Sequence, residues 1–451
     1  MGMLLSLPVS FLGLSCFRSW IALLTSTSPL GGFAEPLHDC ILTVSLLALA
    51  FFARKIVPLC ERRWAYTVCA VAALMASLLV IASAAGVRPL AIEYAAMAFA
   101  AVASAFFILF WCELYSCLSI VKTAMSLALA LLATEALKFL LEGFVPAYRL
   151  GALLVLPVLT LLLLARAYAH VPADSRPRVT SGKTHIPWKI IGLFAIYDFA
   201  QGVCLGIEGS QAGLYSGMAA VVVAALLLTA IVFFSERFDL SFIYRTPVVL
   251  LISALLFLPF LGDGSSNVVA LSLSLGLRFF EITIFLLICD ISKNFALPAV
   301  LLFGIEEAVI IFRSAGVGVG SRLDGLAALG VSPSIVIAVG IALVIAATLL
   351  LFNDRELSSQ WKVSLFGPGK IQQGKERREL VEAACARVAE DYGLTARERE
   401  ILLLLSDGKT TKQIGERLCI AKGTVKAHTE HIYAKTGINS RKQLMDLLNV
   451  D

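Results

Sequence analysis

Apolar residues run through the first three quarters of this chain in blocks of about twenty, the length an α-helix needs to cross the hydrocarbon of a bilayer. The blocks are centred near Leu14, Leu47, Leu74, Ala103, Leu131, Leu159, Ala200, Val223, Ala254, Ile282, Val309 and Ala342, which predicts about twelve spans. The longest polar interruption, residues 170–189 (HVPADSRPRVTSGKTHIPWK), is rich in Pro, Ser and basic residues and separates the sixth block from the seventh. The pattern therefore predicts an all-α membrane domain over 1–352, made of two six-helix halves, 1–169 and 189–352, joined by a cytoplasmic loop at 170–188. Beyond residue 352 charged residues come every few positions. That shift marks a boundary, with a linker and an amphipathic helix over 353–393 and a small polar domain over 394–451.

Within the linker region, residues 375–392 (KERRELVEAACARVAEDY) place Leu380, Val381, Ala384, Cys385, Val388 and Tyr392 on one helical stripe. Such a stripe needs a partner surface: the domain that follows, which is the default reading, or the same helix of a second chain. From Leu394 the punctuation sharpens. LTARERE puts Thr395 at an N-cap with Glu398 three residues on, a capping box that opens a helix through Ile401 to Leu405. Thr410 caps a short helix TKQIGERL, a third helix runs from about Thr424 to Lys435 before Gly437 stops it, and RKQLMDLL forms a fourth. Two short helices joined by a tight connection, the second polar along one side, predict helix-turn-helix geometry.

Composition sharpens the class. Hydrophobic residues make up 59% of the 451 positions and charged residues only 15%, with a mean hydropathy of +0.87, far outside the range of soluble domains. The ten Cys are scattered, without a Cys-x-x-Cys pair or a His at zinc spacing, so neither a disulfide framework nor a metal site is signalled, and no cofactor is expected. No Lys or Arg precedes Arg18 and no small-residue cleavage site follows, so the first block is expected to be retained. With the N-terminus inside, the inner loops hold Arg54, Lys55, Arg62, Arg63, Lys122, Arg166, Arg176, Arg178, Lys183, Lys189, Arg237, Arg245 and Lys293. The outer ones hold only Arg88, Lys138, Arg149 and Arg322. The bias predicts a multi-pass membrane protein with its N-terminus inside, and an even number of spans then puts the C-terminal domain in the cytoplasm.

Two resemblances rest on these residues. The six-plus-six layout over residues 4–352 resembles the major facilitator superfamily, although the loop after the second helix, ARKIVPLCERRW (53–64), has basic ends without that family's Gly and Asp. LTARERE, Gly408, QIGERL, TVKAH, IYAKTG and NSRKQL, spanning 394–448, resemble the C-terminal DNA-binding domain of LuxR-type transcriptional regulators. The second resemblance implies gene regulation, with Lys426, Ala427 and Glu430 at positions that meet bases and Thr424 near phosphate. Where that family caps its recognition helix with Ser or Thr, this chain has Ala421 followed by Gly423.

The residue pattern agrees. On the third helix Val425, Thr429 or His428, and Ile432 recur at core spacing, which leaves Lys426, Ala427, Glu430, His431 and Ala434 for a major groove. Lys409, Lys412, Lys422, Lys435, Arg441 and Lys442 supply a basic flank for phosphate. Polar groups at membrane depth are costly and usually face a cavity or each other. These are Glu135 with Lys138, Asp198 with Gln201 three residues on, Arg278 with Glu281, and Glu306, Glu307 and Arg313. They divide between internal ion pairs and a ligand site, for which Asp198, Gln201, Glu135, Arg278, Glu281 and Glu306 are the candidates. No nucleophile elbow, phosphate loop or metal cluster is present in the sequence, so an enzyme is not expected. The expectation is a one-component membrane regulator with double-stranded DNA, the lipid bilayer and a small-molecule ligand as partners, dimeric on DNA. The alternative is a secondary transporter with a regulatory tail.

Overall fold

The structure, a computed structural model, describes residues 8–27, 35–87, 90–172, 175–177, 188–208, 212–233, 266–294, 297–322, 384–406 and 421–438, with single positions at 411, 414, 418, 443 and 447. Two compact units are present, Met1–Glu356 and Leu357–Asp451. No strand occurs among the described residues.

In the larger unit the helices follow the apolar blocks: α1 (Gly13–Thr27, after a 3₁₀ turn Val9–Leu12), α2 (Glu35–Phe51), α3 (Arg63–Ala84), α4 (Leu90–Ser116), α5 (Ile120–Glu142) and α6 (Pro146–Ala169). Then come α7 (Trp188–Glu208), α8 (Ala212–Phe233), α9 (Ser266–Asn294), α10 (Ala299–Glu306) and α11 (Ile310–Gly320). Among the described residues five helical stretches, Val9–Thr27 and α3 to α6, are long and apolar enough to span a membrane by themselves. The expected spans around Ala254 and Ala342 lie outside the described residues.

Burial differs between the helices: α4 turns Phe107, Phe110, Trp111 and Tyr115 inward, whereas α3 turns small residues inward and large ones outward. On α3, Ala65, Cys69, Ala72, Ala73, Ala76 and Ser77 are buried, whereas Val68, Val71, Met75 and Leu78 recur on the opposite, exposed face. On α6, Val155, Val158, Leu159 and Leu162 make a similar exposed stripe. In water such stripes would be strongly unfavourable; against lipid tails they are solvated, and small inward residues let the backbones approach. The closest approach is α7 on α11. A Cβ added at Gly202 would lie 2.0 Å from the Arg313 carbonyl oxygen, and one at Gly316 would lie 2.2 Å from that of Phe199. Gly206 and Gly320 repeat the arrangement one turn on, so each helix presents a small-xxx-small pair to the other. Gly318, on another face, meets only the end of the Arg322 side chain.

Buried polar groups pin the rest. Trp20 Nε1 donates to Ser77 Oγ at 3.0 Å, and Ser77 Oγ donates to the Leu153 carbonyl at 2.8 Å, which ties α1, α3 and α6. Glu113 on α4 is fully buried and accepts from the backbone amides of Leu59 (2.9 Å) and Cys60 (2.7 Å). The loop between α2 and α3 is thus held by a carboxylate from α4. The first six helices meet the later ones where α2 packs on α10, Gly304 lying against Ala50 and the Leu46 carbonyl, and where α5 packs on α8.

In the smaller unit, α12 (Ala396–Ser406) and α13 (Lys422–Thr436) enclose a core of Ile401, Leu402, Leu404, Leu405, Ile414, Val425 and Ile432. Ala384, Cys385 and Val388, from a helical segment over 384–391, belong to the same core. Of the amphipathic stripe read from the sequence, Ala384, Cys385 and Val388 are therefore covered by the domain that follows, Tyr392 is exposed, and Leu380 and Val381 lie outside the described residues.

Candidate nucleic-acid interface and membrane cavity

Thr395 and Glu398 form the reciprocal bonds of a capping box: the Glu398 carboxylate accepts from the Thr395 amide at 2.8 Å, and Thr395 Oγ1 accepts from the Glu398 amide at 3.3 Å. The same carboxylate accepts from Lys435 Nζ at 2.7 Å and is almost fully buried. One residue thereby caps the start of α12 and clamps the end of α13. The Lys435 ammonium foremost, and then Thr395, outweigh the opposing effect of burial and hold the Glu398 carboxyl down at about 2. Gly437 ends α13 in the left-handed conformation (φ 69°), where a Cβ would be strained. At the other end Ala421 has the extended backbone of an N-cap but no capping side chain.

With Val425 and Ile432 turned into the core and His428 and Thr429 half-buried, α13 exposes Thr424, Lys426, Ala427, Glu430 and His431 together on one side. Lys426 and Glu430 stand one turn apart with 3.7 Å between ammonium and carboxylate, 77% and 66% exposed, an ion pair loose enough to open for a base edge or phosphate. Lys422 begins α13. Lys435, read from the sequence as a phosphate contact, is turned inward onto Glu398 and the Gly393 carbonyl. Lys409, Lys412, Arg441 and Lys442 lie outside the described residues. Among the described residues one group, Glu398, His428 and His431, brings metal-ligating atoms within 4.8 Å of one another. Glu398 already holds the Lys435 ammonium and the Thr395 amide, which an ion would have to displace.

In the membrane unit, Asp198, Arg278, Glu281 and Glu306 line one cavity of about 520 Å³ between the first six helices and the later ones. Glu307 and Arg313 share it. Arg18 on α1 reaches Glu281 on α9 at 3.3 Å, Arg278 pairs with the same carboxylate, and Arg278 also donates to Ser216 Oγ at 2.8 Å. Asp39 on α2 takes His38 at 3.0 Å and a hydrogen bond from Ser314 on α11. Glu135 pairs with Lys138 at 2.9 Å beside an adjoining cavity that Arg18, Arg278 and Glu281 also line. Gln201 is on α7, three residues past Asp198, but its side chain lies outside the description. Sequence reasoning missed Arg18, His38 and Asp39 at this site; a single Arg inside the first apolar block was the signal for the first. The site comes together because α10 stops at Glu306, a 3₁₀ turn covers Glu307–Val309, and α11 resumes at Ile310. A break at membrane depth is tolerated where it lines a cavity.

Comparison with known proteins separates the two units. Residues 393–448 match the family model "Bacterial regulatory proteins, luxR family". Over 57 residues the chain is 46% identical to a putative HTH-type transcriptional regulator, YhjB, of Escherichia coli K12, covering 13% of this chain and 28% of that protein. Over 50 residues it is 50% identical to the transcriptional regulatory protein LiaR of Bacillus subtilis 168, 11% of this chain and 24% of LiaR. The chain thus spans under a third of the length of these relatives. The fold is similar to that of the human organic anion transporter MFSD10 (TM-score 0.55, 11% identity, 76% of this chain and 98% of that one). It is also similar to a bacterial homologue of the iron transporter ferroportin in an outward-facing state (TM-score 0.54, 15% identity, 80% and 98%). At such identities the likeness is one of fold alone. Residues 393–448 of the chain thus form a domain that matches the LuxR family of bacterial regulatory proteins, and the larger unit has a helical fold similar to that of solved membrane transporters.

Proposed function

We propose that this protein is a one-component transcription regulator of a bacterial inner membrane, with its LuxR-type domain in the cytoplasm and its membrane cavity acting as a sensor. The observation that carries the reading is a charged cavity between two sets of helices on the same polypeptide as a DNA-binding domain. A tether alone needs one span, and a tether has no use for buried ion pairs at membrane depth. Ligand occupancy shifts the helices that meet at the cavity. That shift alters whether two DNA-binding domains align on half-sites about 34 Å apart. Lys426, Ala427, Glu430 and His431 read the groove, Thr424 and Lys422 meet phosphate, and Lys409, Lys412 and Arg441 add backbone contacts. The segment 384–391 moves with the DNA-binding core it packs in, so the signal enters upstream of it.

The test is a promoter reporter bound by the intact protein, read with the wild type, with Asp198→Asn and with the membrane unit deleted. Sensing requires that the last two change the response while the protein level stays constant; an unchanged response removes the sensing role. A secondary transporter with a regulatory tail is the second reading, favoured by the transporter-like fold. Uptake into proteoliposomes that is abolished by Asp198→Asn would establish it.

A further inference from the structure

Resting on the reading of the membrane cavity as a ligand site, we propose that its ligand is an organic ammonium ion with an apolar body, set against Glu306. Five carboxylates (Asp39, Asp198, Glu281, Glu306, Glu307) but three guanidiniums (Arg18, Arg278, Arg313) are among the described residues of the lining. Two of the three cations are paired. Arg18 and Arg278 share Glu281, and Arg313 lies within electrostatic reach of Asp39 and Asp198. Glu306 is different: it is 4% exposed and its Oε2 has no hydrogen-bond partner. A buried carboxylate oxygen without a donor costs far more than a satisfied one, so the site is incomplete until something supplies a donor.

The wall repeats this incompleteness. Trp111 Nε1 and Ser104 Oγ, both on α4 and both buried, also lack partners. They stand seven residues apart, about 10 Å along the helix. The Trp111 indole cannot swing elsewhere, because α1 passes so close that a Cβ at Gly13 would lie 2.7 Å from the ring. The lining thus holds one buried carboxylate oxygen without a donor and three further buried polar atoms without partners, Trp111 Nε1 and Ser104 Oγ on α4 and His38 Nε2 on α2, among the aromatic side chains of Phe17, Phe194 and Phe280. A positive group on an apolar body fits this, since the ammonium supplies the donor that Glu306 lacks and the aromatic side chains bury the hydrocarbon. A bare metal ion fits poorly: among the described residues no three cavity-lining His, Cys, Asp or Glu side chains bring ligand atoms within 4.8 Å of one another.

The experiment uses full-length protein in lipid nanodiscs, with thermal shift and tryptophan quenching as readouts. The probes are benzylamine, 2-phenylethylamine and 4-phenylbutylamine, each beside the alcohol and the carboxylate of equal length, with NaCl and MnCl₂ as inorganic controls. Binding is expected for amines over their neutral and anionic partners, and Glu306→Gln should weaken amine binding by roughly tenfold or more while the variant stays folded. Trp111→Phe should reduce the quenching signal and keep the preference for amines. Preference for the carboxylates or alcohols, saturable Mn²⁺ binding, or amine binding unchanged in Glu306→Gln overturns the ammonium assignment and leaves the ligand-site reading standing. If Glu306→Gln does not fold, Glu306→Asp, which keeps the charge and withdraws it, decides by the same comparison. No saturable binding by any probe overturns this inference, and the reporter experiment with Asp198→Asn then judges the sensing reading separately.

Discussion

At the scale of the residue, Lys426 and Glu398 show how position decides what a charge does. Lys426 is 77% exposed and held only by a loose pair with Glu430, so its charge is available to DNA. Lys426→Ala in the full-length protein should weaken binding to a target duplex and lower the slope of log affinity against log salt by about 1. Fluorescence anisotropy at several salt concentrations measures both, and an unchanged slope would remove Lys426 from the interface. Glu398 spends its charge inside the fold. Its carboxyl sits at about 2 against an ordinary 4.5, so its contribution is present above about pH 4.5 and is lost as pH falls towards 2. Glu398→Gln should therefore cost about 1–2 kcal/mol at neutral pH and flatten the acid dependence between those limits. Hydrogen exchange of the α12 and α13 amides in the intact protein follows it. The two spaced motif residues Thr395 and Glu398 announced the cap in the sequence; the clamp onto Lys435, 37 positions away, did not show there, because nothing in spacing brings the end of α13 over the start of α12.

At the scale of the element, the pairing of α7 with α11 is the tightest feature of the membrane unit. Of the closely spaced Gly316, Gly318 and Gly320, the first and the last face the neighbouring backbone and Gly318 does not. Gly316→Leu or Gly202→Leu would drive a side chain into a carbonyl about 2 Å away, and should lower the melting temperature and the yield of monodisperse protein. Overpacking of this kind costs about 1–3 kcal/mol or more. Gly318→Ala, on an open face, should stay within about 0.5 kcal/mol. Equal effects at all three positions would contradict the packing described. The partners Gly202 and Gly206 were not singled out from sequence. A small residue in an apolar helix signals contact only when its opposite number is known, and that number lies more than a hundred residues further along the chain.

At the scale of the whole molecule, the basic loops predict where each end of the chain resides. A C-terminal fluorescent-protein fusion should fluoresce and a C-terminal alkaline phosphatase fusion should be inactive; the reverse would place the DNA-binding domain on the wrong side of the membrane. Much of this level was legible beforehand. Blocks of twenty apolar residues leave an α-helix as the means of satisfying the backbone in lipid, and the spaced LuxR-type pieces end in a helix whose exposed and buried faces follow from a 3.6-residue period. Those features depend on neighbours in sequence, so the sequence by itself determined them: a helical membrane part, a separate polar end, Val425 and Ile432 inward, Lys426 and Glu430 outward. What only the tertiary structure decided depends on residues far apart. It gathered Arg18, Asp39, Asp198, Glu281 and Glu306 from five helices around one cavity, gave Arg18 and Arg278 a common partner, and left Glu306 without one. A buried charge takes its meaning from whatever the fold sets opposite it, and that is fixed by helix packing across hundreds of positions rather than by any local pattern.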